Sequence, residues 1–98
     1  MEPQTQTHRF HWRGIEIEVS YWPIKWGATA HLEIRSIAPE RAPLPITKTG
    51  YLSHFHTIGT VEARGGDVVA QVGAWLDEEA EAPEWRAYLE ASRQTSLF

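Results

Sequence analysis

Two histidines separated by a single residue, His54 and His56, come closest in this sequence to a metal-binding motif. Side chains two residues apart in a β-strand project from the same face, so both imidazoles could bind one zinc or iron ion. A complete site needs further ligands, and the distant candidates are His8, His11, His31 and Asp67. The chain has no His-Glu-x-x-His motif, no cysteine and no Asp-rich loop. We therefore interpret the pair as partly exposed structural histidines and expect no cofactor, and a metal-dependent activity at His54 and His56 is kept as an alternative function.

Hydroxyl side chains near this pair do not form a recognisable nucleophile motif. Thr47, Thr49 and Ser53 lack a nucleophile-elbow pattern, so we interpret them as turn residues. Gly65-Gly66 is followed by Asp67, whose carboxylate would repel a phosphate group at the start of a helix. The sequence therefore predicts a protein that binds, not an enzyme.

A short motif lies in the last five residues, 94–98, which read Gln-Thr-Ser-Leu-Phe. The segment resembles the peptide with which bacterial replication and repair proteins bind the DNA polymerase sliding clamp, whose consensus is Gln-Leu-Ser/Asp-Leu-Phe. The matching positions are Gln94, Ser96, Leu97 and Phe98. Thr95 stands where leucine is preferred, and this departure implies a lower affinity.

The resemblance implies that Leu97 and Phe98 enter an apolar pocket of the clamp, with Gln94 forming hydrogen bonds at its rim. Burial of each apolar side chain contributes roughly 1.5 to 3 kcal/mol before ordering costs, which supports binding in the range of tens of micromolar or weaker, not picomolar binding. We therefore predict a small non-enzymatic adaptor or regulatory protein that binds the sliding clamp and modulates DNA replication or repair. Replication control, repair and plasmid- or phage-borne interference all fit. In the alternative, Leu97 and Phe98 pack into the chain's own core.

An acidic cluster gives a second hypothesis. Its members are Asp77, Glu78, Glu79, Glu81 and Glu84. Residues 67–98 contain two arginines and seven acidic residues, a charge of −5, whereas residues 1–66 carry +1 of the formal net charge of −4. Phosphate backbones would be repelled by the acidic part, and basic surfaces attracted. The alternative function is therefore a small acidic inhibitor, anti-defence or antitoxin-like, that blocks a nucleic-acid-binding protein, and no direct nucleic-acid contact is expected.

Basic and aromatic residues are interleaved near the start of the chain. They are Arg9, Trp12, Arg13, Tyr21, Trp22, Lys25 and Trp26. Such a mixture can stack bases and neutralise phosphates. Because Glu16 and Glu18 lie in the same segment, and because aromatic residues of small sheets usually form core, we interpret the group mainly as core.

Apolar periodicity predicts the elements that hold these residues. Alternation over residues 8–21, interrupted at Arg13-Gly14, predicts a β-hairpin. Trp22-Pro23 is expected to end its second strand. Residues 28–35 alternate as a third strand. Three prolines then predict an extended loop over residues 38–50, which covers the sheet or forms a second partner-binding edge, followed by a short strand over residues 51–56.

Helical spacing follows. The apolar residues Val68, Val72, Trp75 and Leu76 lie on one helical face, and Asp67 is placed to cap that helix. Pro83 suits the first position of a second amphipathic helix, whose apolar stripe stops near Ser92. The sequence thus predicts an α+β fold, an antiparallel sheet of three or four strands followed by two C-terminal helices packed on one face.

The expected organisation is a flexible N-terminus over residues 1–7, one α+β domain over residues 8–92 and a C-terminal binding tail over residues 93–98. The chain of 98 residues contains no cysteine, no signal-peptide pattern and no run of about 18 apolar residues. A cytoplasmic protein without membrane contact is therefore expected. The oligomeric state stays open.

Overall fold

The fold is a four-stranded antiparallel sheet followed by helices, which confirms the predicted α+β class. A computed structural model describes residues 5–95. The strands pair in sequence order and are β1 (Gln6–Trp12), β2 (Ile15–Lys25), β3 (Thr29–Ala38) and β4 (Tyr51–His56). The helices are α1 (Thr60–Ala63), α2 (Val68–Glu79) and α3 (Pro83–Thr95). Only the short α1 lacks a counterpart in the sequence-based prediction.

The first hairpin turns at Arg13 and Gly14, as the sequence predicts. Both residues have positive φ angles, 47° and 84°, which a two-residue type I′ turn requires and which matches the twist of the flanking strands. Trp12 consequently pairs with Ile15 at the turn. This register directs the apolar residues of β2 toward the helices, and the buried ones are Ile17, Val19 and Tyr21.

Strand β2 is longer than expected, because it does not end at Trp22-Pro23 but continues to Lys25. Its pairing with β3 shifts between Trp22 and Lys25, so a bulge accommodates the proline, which cannot donate a ladder hydrogen bond. The prediction that Pro23 terminates the strand was therefore wrong. The extra length matters because it carries Lys25 and the turn residue Trp26 onto the face of the sheet.

The proline-containing loop between β3 and β4 takes the covering role. Leu44 is buried in the core and Ile46 packs against it. The Ser36 backbone N–H donates to the Gly50 carbonyl oxygen at 2.8 Å, which ties the end of the loop to β3. At Gly50, φ is +75° and an added Cβ would lie 2.6 Å from the carbonyl carbon of Arg41, so this position requires glycine.

Helix α2 covers the sheet and completes the core. Asp67 caps its N-terminus as predicted, because Oδ1 accepts a hydrogen bond of 3.0 Å from the Ala70 backbone N–H. The predicted apolar face is confirmed: Val68, Val72 and Leu76 are buried, and Trp75 packs half-buried against the core.

Helix α3 is anchored by its first two turns. Trp85 is 8% exposed and its ring lies 6.1 Å from that of Trp12, whereas Tyr88 is 40% exposed and Leu89 is half-buried. Residues 90–93 are exposed. The helix continues to Thr95, beyond the predicted end of its apolar stripe. Among residues 5–95, no helix combines the length and apolar character needed to span a membrane.

Candidate binding surfaces

The sheet face opposite the helices carries a series of stacked rings. Trp22, His31 and Phe55 are cross-strand neighbours; successive ring centroids lie 5.0 and 4.2 Å apart, with interplanar angles of 25° and 9°. Trp26 stacks on Phe55 at 5.7 Å and 22°. The Lys25 Nζ lies 4.3 Å from the Trp22 ring centroid and 5.1 Å from that of Trp26, within cation–π distance. We call these five residues the ring platform.

His31 is buried within the ring platform, although the alternation of residues 28–35 places it on the face opposite the apolar side chains of that strand. Its Nδ1 lies 3.0 Å from Lys25 Nζ, and its Nε2 lies 2.6 Å from Ser53 Oγ. An ammonium group has donors but no acceptor, so Nδ1 accepts from Lys25 and the Nε2–H donates to Ser53. Burial, followed by the Lys25 charge, lowers the pKa of His31. A neutral imidazole near pH 7 satisfies this arrangement.

The direction of the bond between His31 and Ser53 argues against nucleophilic catalysis. A serine nucleophile donates its proton to an imidazole base, whereas the Ser53 hydroxyl accepts from the imidazole. Ser53 also lies in β4, in agreement with the strand predicted over residues 51–56, so its interpretation as a turn residue was wrong. Thr47 and Thr49 are turn residues, and their hydroxyls donate to the Tyr51 carbonyl oxygen at 2.9 and 3.1 Å. These hydroxyls stabilise local structure.

His54 and His56 lie on the helix-covered side of the sheet, beside a groove of about 510 Å³ between β4, α1 and α2. The His54 ring lies 5.2 Å from Trp75 and 5.5 Å from His56. The apolar lining includes Leu32, Val61, Val68 and Val72, and the polar lining includes Thr60, Arg64, Gln71 and Glu78. The groove is therefore mostly apolar, with the imidazoles at one wall.

The two histidines stack on each other, with only 18° between their ring planes. Both nitrogens of His56 are shielded from solvent and have no hydrogen-bond partner within the described part of the chain. Burial is the main cause that lowers the pKa of His56. No set of three or more His, Asp or Glu side chains in residues 5–95 is grouped so that it could hold a metal ion. The distant candidates His8, His11, His31 and Asp67 therefore do not join the pair in such a set.

The acidic side chains from the second hypothesis have different neighbours. Asp77 Oδ1 accepts a hydrogen bond of 2.9 Å from Trp12 Nε1 and so helps to hold α2 on β1. Glu78 lines the groove, and Glu81 pairs with Arg86. All five members are exposed: Asp77, Glu78, Glu79, Glu81 and Glu84.

The interleaved basic and aromatic residues divide between the two sides of the sheet. Trp12 and Tyr21 belong to the core, as expected. Trp22, Lys25 and Trp26 instead belong to the ring platform. Sequence reasoning missed Phe55 and His31, which join the platform from other strands. The alternation of β4 could have revealed Phe55, because it lies on the face opposite His54 and His56.

Two arginines among the interleaved basic and aromatic residues form ion pairs at the first hairpin. Arg9 Nε lies 3.0 Å from Glu18 Oε2 on the open face, and an Arg13 guanidinium nitrogen lies 3.4 Å from Asp77 Oδ1. Both arginine side chains are at least half exposed, so each pair contributes little to stability.

The predicted tail lies at the end of α3. The backbone of Gln94 and Thr95 forms the last turn of that helix. Ser96, Leu97 and Phe98 lie outside the described residues. The alternative in which Leu97 and Phe98 fill the core therefore stays a hypothesis.

Comparison with known families matches residues 5–85 to one described as the KlcB third domain. The matched segment runs from β1 into the first turn of α3 and stops before the tail. No curated protein and no solved structure matches the chain. The KlcB third domain is not an enzyme family, in agreement with the prediction of a non-catalytic protein. Since the match spans most of the 98 residues, the chain belongs to the KlcB third-domain family.

Proposed function

We propose that this protein is a non-enzymatic adaptor that docks on the bacterial sliding clamp through residues 94–98. The proposal starts from the Gln-Thr-Ser-Leu-Phe sequence and its resemblance to clamp-binding peptides. Because residues 96–98 lie outside the described part of the chain, the support comes from the helix that precedes them.

The observation that carries the proposal is that the exposure of α3 increases toward its C-terminal end. Trp85 is the buried anchor, Leu89 is half-buried, and residues 90–93 are exposed. The described core already contains Leu76, Ala80 and Trp85 around the sheet, and no member of it comes from beyond Leu89. A helix whose residues 90–93 are exposed suits the presentation of the following peptide to a partner.

Energetics set the affinity to expect. Burial of Leu97 and Phe98 in a clamp pocket contributes roughly 3 to 6 kcal/mol together, before the entropy lost on ordering the tail. Thr95, in place of leucine, removes part of the apolar contact that the consensus provides. Since about 6 kcal/mol corresponds to a dissociation constant of about 40 μM, the two side chains alone support binding no tighter than tens of micromolar, and hydrogen bonds from Gln94 must supply any further affinity.

The test is titration of a purified bacterial sliding clamp with the full chain, by surface plasmon resonance or calorimetry. The double variant Leu97→Ala/Phe98→Ala should weaken binding by at least about 100-fold, the equivalent of about 3 kcal/mol. A variant with residues 94–98 in reversed order is the matched control, because it keeps the composition and loses the motif. Equal affinity of all three proteins, or no binding of the parent, contradicts the proposal.

Membership of the KlcB family is compatible with this role, since a small plasmid-associated, KlcB-like protein fits an adaptor or an inhibitor. The acidic inhibitor is the second candidate, supported by the exposure of its five carboxylates. It is the weaker one, because Asp77 is bonded to Trp12 and Glu81 is paired with Arg86. The double substitution Glu78→Lys/Glu79→Lys should abolish binding to a basic target and leave clamp binding intact, whereas removal of residues 94–98 should do the reverse.

A further inference from the structure

The ring platform is a partly exposed surface whose purpose the clamp proposal does not explain. Trp26 is 77% exposed and Phe55 is 47% exposed, so two large aromatic side chains remain in water on the same face. Exposed apolar clusters on small proteins usually mark contact sites. The rings are also held in place, because Lys25 and Ser53 fix the orientation of His31 from both sides.

The geometry favours a planar ligand. Each successive pair in the platform, from Trp22 through His31 and Phe55 to Trp26, is within 25° of parallel. A further ring can extend such a series on the exposed indole without any rearrangement. Nucleobases are the planar rings that stack on flat aromatic platforms, whereas apolar protein side chains prefer concave pockets.

The charges around the platform provide only weak attraction for phosphate groups. Lys25 places an ammonium group beside both tryptophan rings, and Arg35 is exposed on the same face of β3. Arg9 is paired with Glu18, and Glu33 lies 3.9 Å from His31, so the local charge is close to balanced. The acidic residues of α2 and α3 lie on the helical side of the sheet, opposite the ring platform. Phosphate attraction is therefore weak, and stacking must supply most of the binding.

We propose that the ring platform binds single-stranded nucleic acid, with a base stacked on Trp26 and a neighbouring phosphate near Lys25. This departs from the sequence-based expectation of no direct nucleic-acid contact, and it does not depend on clamp binding. A base rests on the exposed face of the indole, and Phe55 supports the indole from behind.

Fluorescence anisotropy with labelled oligothymidylate and oligouridylate tests the proposal on the full chain. Trp26→Ala should weaken binding about 5- to 150-fold, in line with the loss of one base stack, and Trp26→Phe should restore most of it. Tyr88→Ala is the control, because Tyr88 is an exposed ring on α3, outside the ring platform, and its removal should leave the affinity unchanged. The affinity should fall only shallowly with salt, with a logarithmic slope of about −0.7 per phosphate contacted.

Several outcomes overturn the proposal. Absence of binding to both oligonucleotides at low salt does so, as does equal affinity of the parent and Trp26→Ala. If instead Trp26→Ala changes self-association in analytical ultracentrifugation while no oligonucleotide binds, the platform is a protein interface. Deletion of residues 94–98 should not alter oligonucleotide affinity, so failure here and failure of the clamp proposal are distinguishable.

Discussion

Replacing Trp85 with alanine should loosen α3 from the sheet, because Trp85 is the buried residue among the described side chains of that helix. An aromatic side chain buries about 150 to 250 Å², which at about 25 cal/mol per Å² corresponds to about 4 to 6 kcal/mol. Residual compactness of the unfolded chain reduces this value to about 3 to 5 kcal/mol. The shielded Trp85 Nε1 has no hydrogen-bond partner among the described residues, and its removal recovers about 1 kcal/mol. We expect Trp85→Ala to destabilise the protein by about 2 to 4 kcal/mol.

Urea denaturation followed by circular dichroism measures this change. Trp85→Phe keeps most of the contact with Trp12 and removes the unpartnered N–H, so it should cost about 1 kcal/mol or less. Tyr88→Ala, at an exposed position on the same helix, should change the free energy of unfolding by less than about 1 kcal/mol. A loss below about 1 kcal/mol for Trp85→Ala, or equal losses for Trp85→Ala and Trp85→Phe, would refute the anchoring role.

Two further predictions concern the sheet and its loop. Acidification from about pH 7.5 to about pH 5.5 should lower the free energy of unfolding. In the unfolded chain, histidine binds a proton near its ordinary pKa of about 6.5, whereas the lowered pKa of His31 keeps it neutral in the folded protein, so protons favour the unfolded state. His31→Gln should make this dependence shallower in urea titrations, with the remainder due to His56, whose pKa burial also lowers, and an unchanged dependence would exclude His31 as a cause. Gly50→Ala should destabilise the protein by more than about 2 kcal/mol, because its Cβ meets the Arg41 backbone, whereas Gly14→Ala, with positive φ but open space, should cost only about 1 to 2 kcal/mol. Similar thermal shifts for the two alanine variants would contradict the steric argument at Gly50.

Local patterns were sufficient to predict most of the fold. Alternation across Arg13-Gly14 predicts the hairpin, since the turn residues and the strand periodicity agree. Asp67 before an apolar face of helical spacing predicts α2, and the structure contains that cap. These features depend on residues close in sequence, which is why the sequence alone reveals them.

Long-range contacts limit what the sequence reveals about the candidate sites. His31 alternates as an outward-facing residue, yet rings from β2 and β4 cover it, and this burial depends on strand order and register. Proline usually ends a strand, and the sequence therefore predicts a strand end at Pro23, but a bulge accommodates this residue within β2. The sequence predicts Asp77 as part of an acidic face, whereas in the structure it accepts a hydrogen bond from Trp12 and joins two elements that are distant in sequence. In each example a tertiary neighbour outweighs the local preference.

Amide hydrogen exchange of the full chain, alone and with saturating bacterial sliding clamp, tests the central claim most directly. The account predicts clamp-dependent protection confined to the end of α3 and residues 94–98, with the sheet and α2 unchanged. Protection centred on the sheet or on α2, or no protection anywhere at saturation, would contradict it.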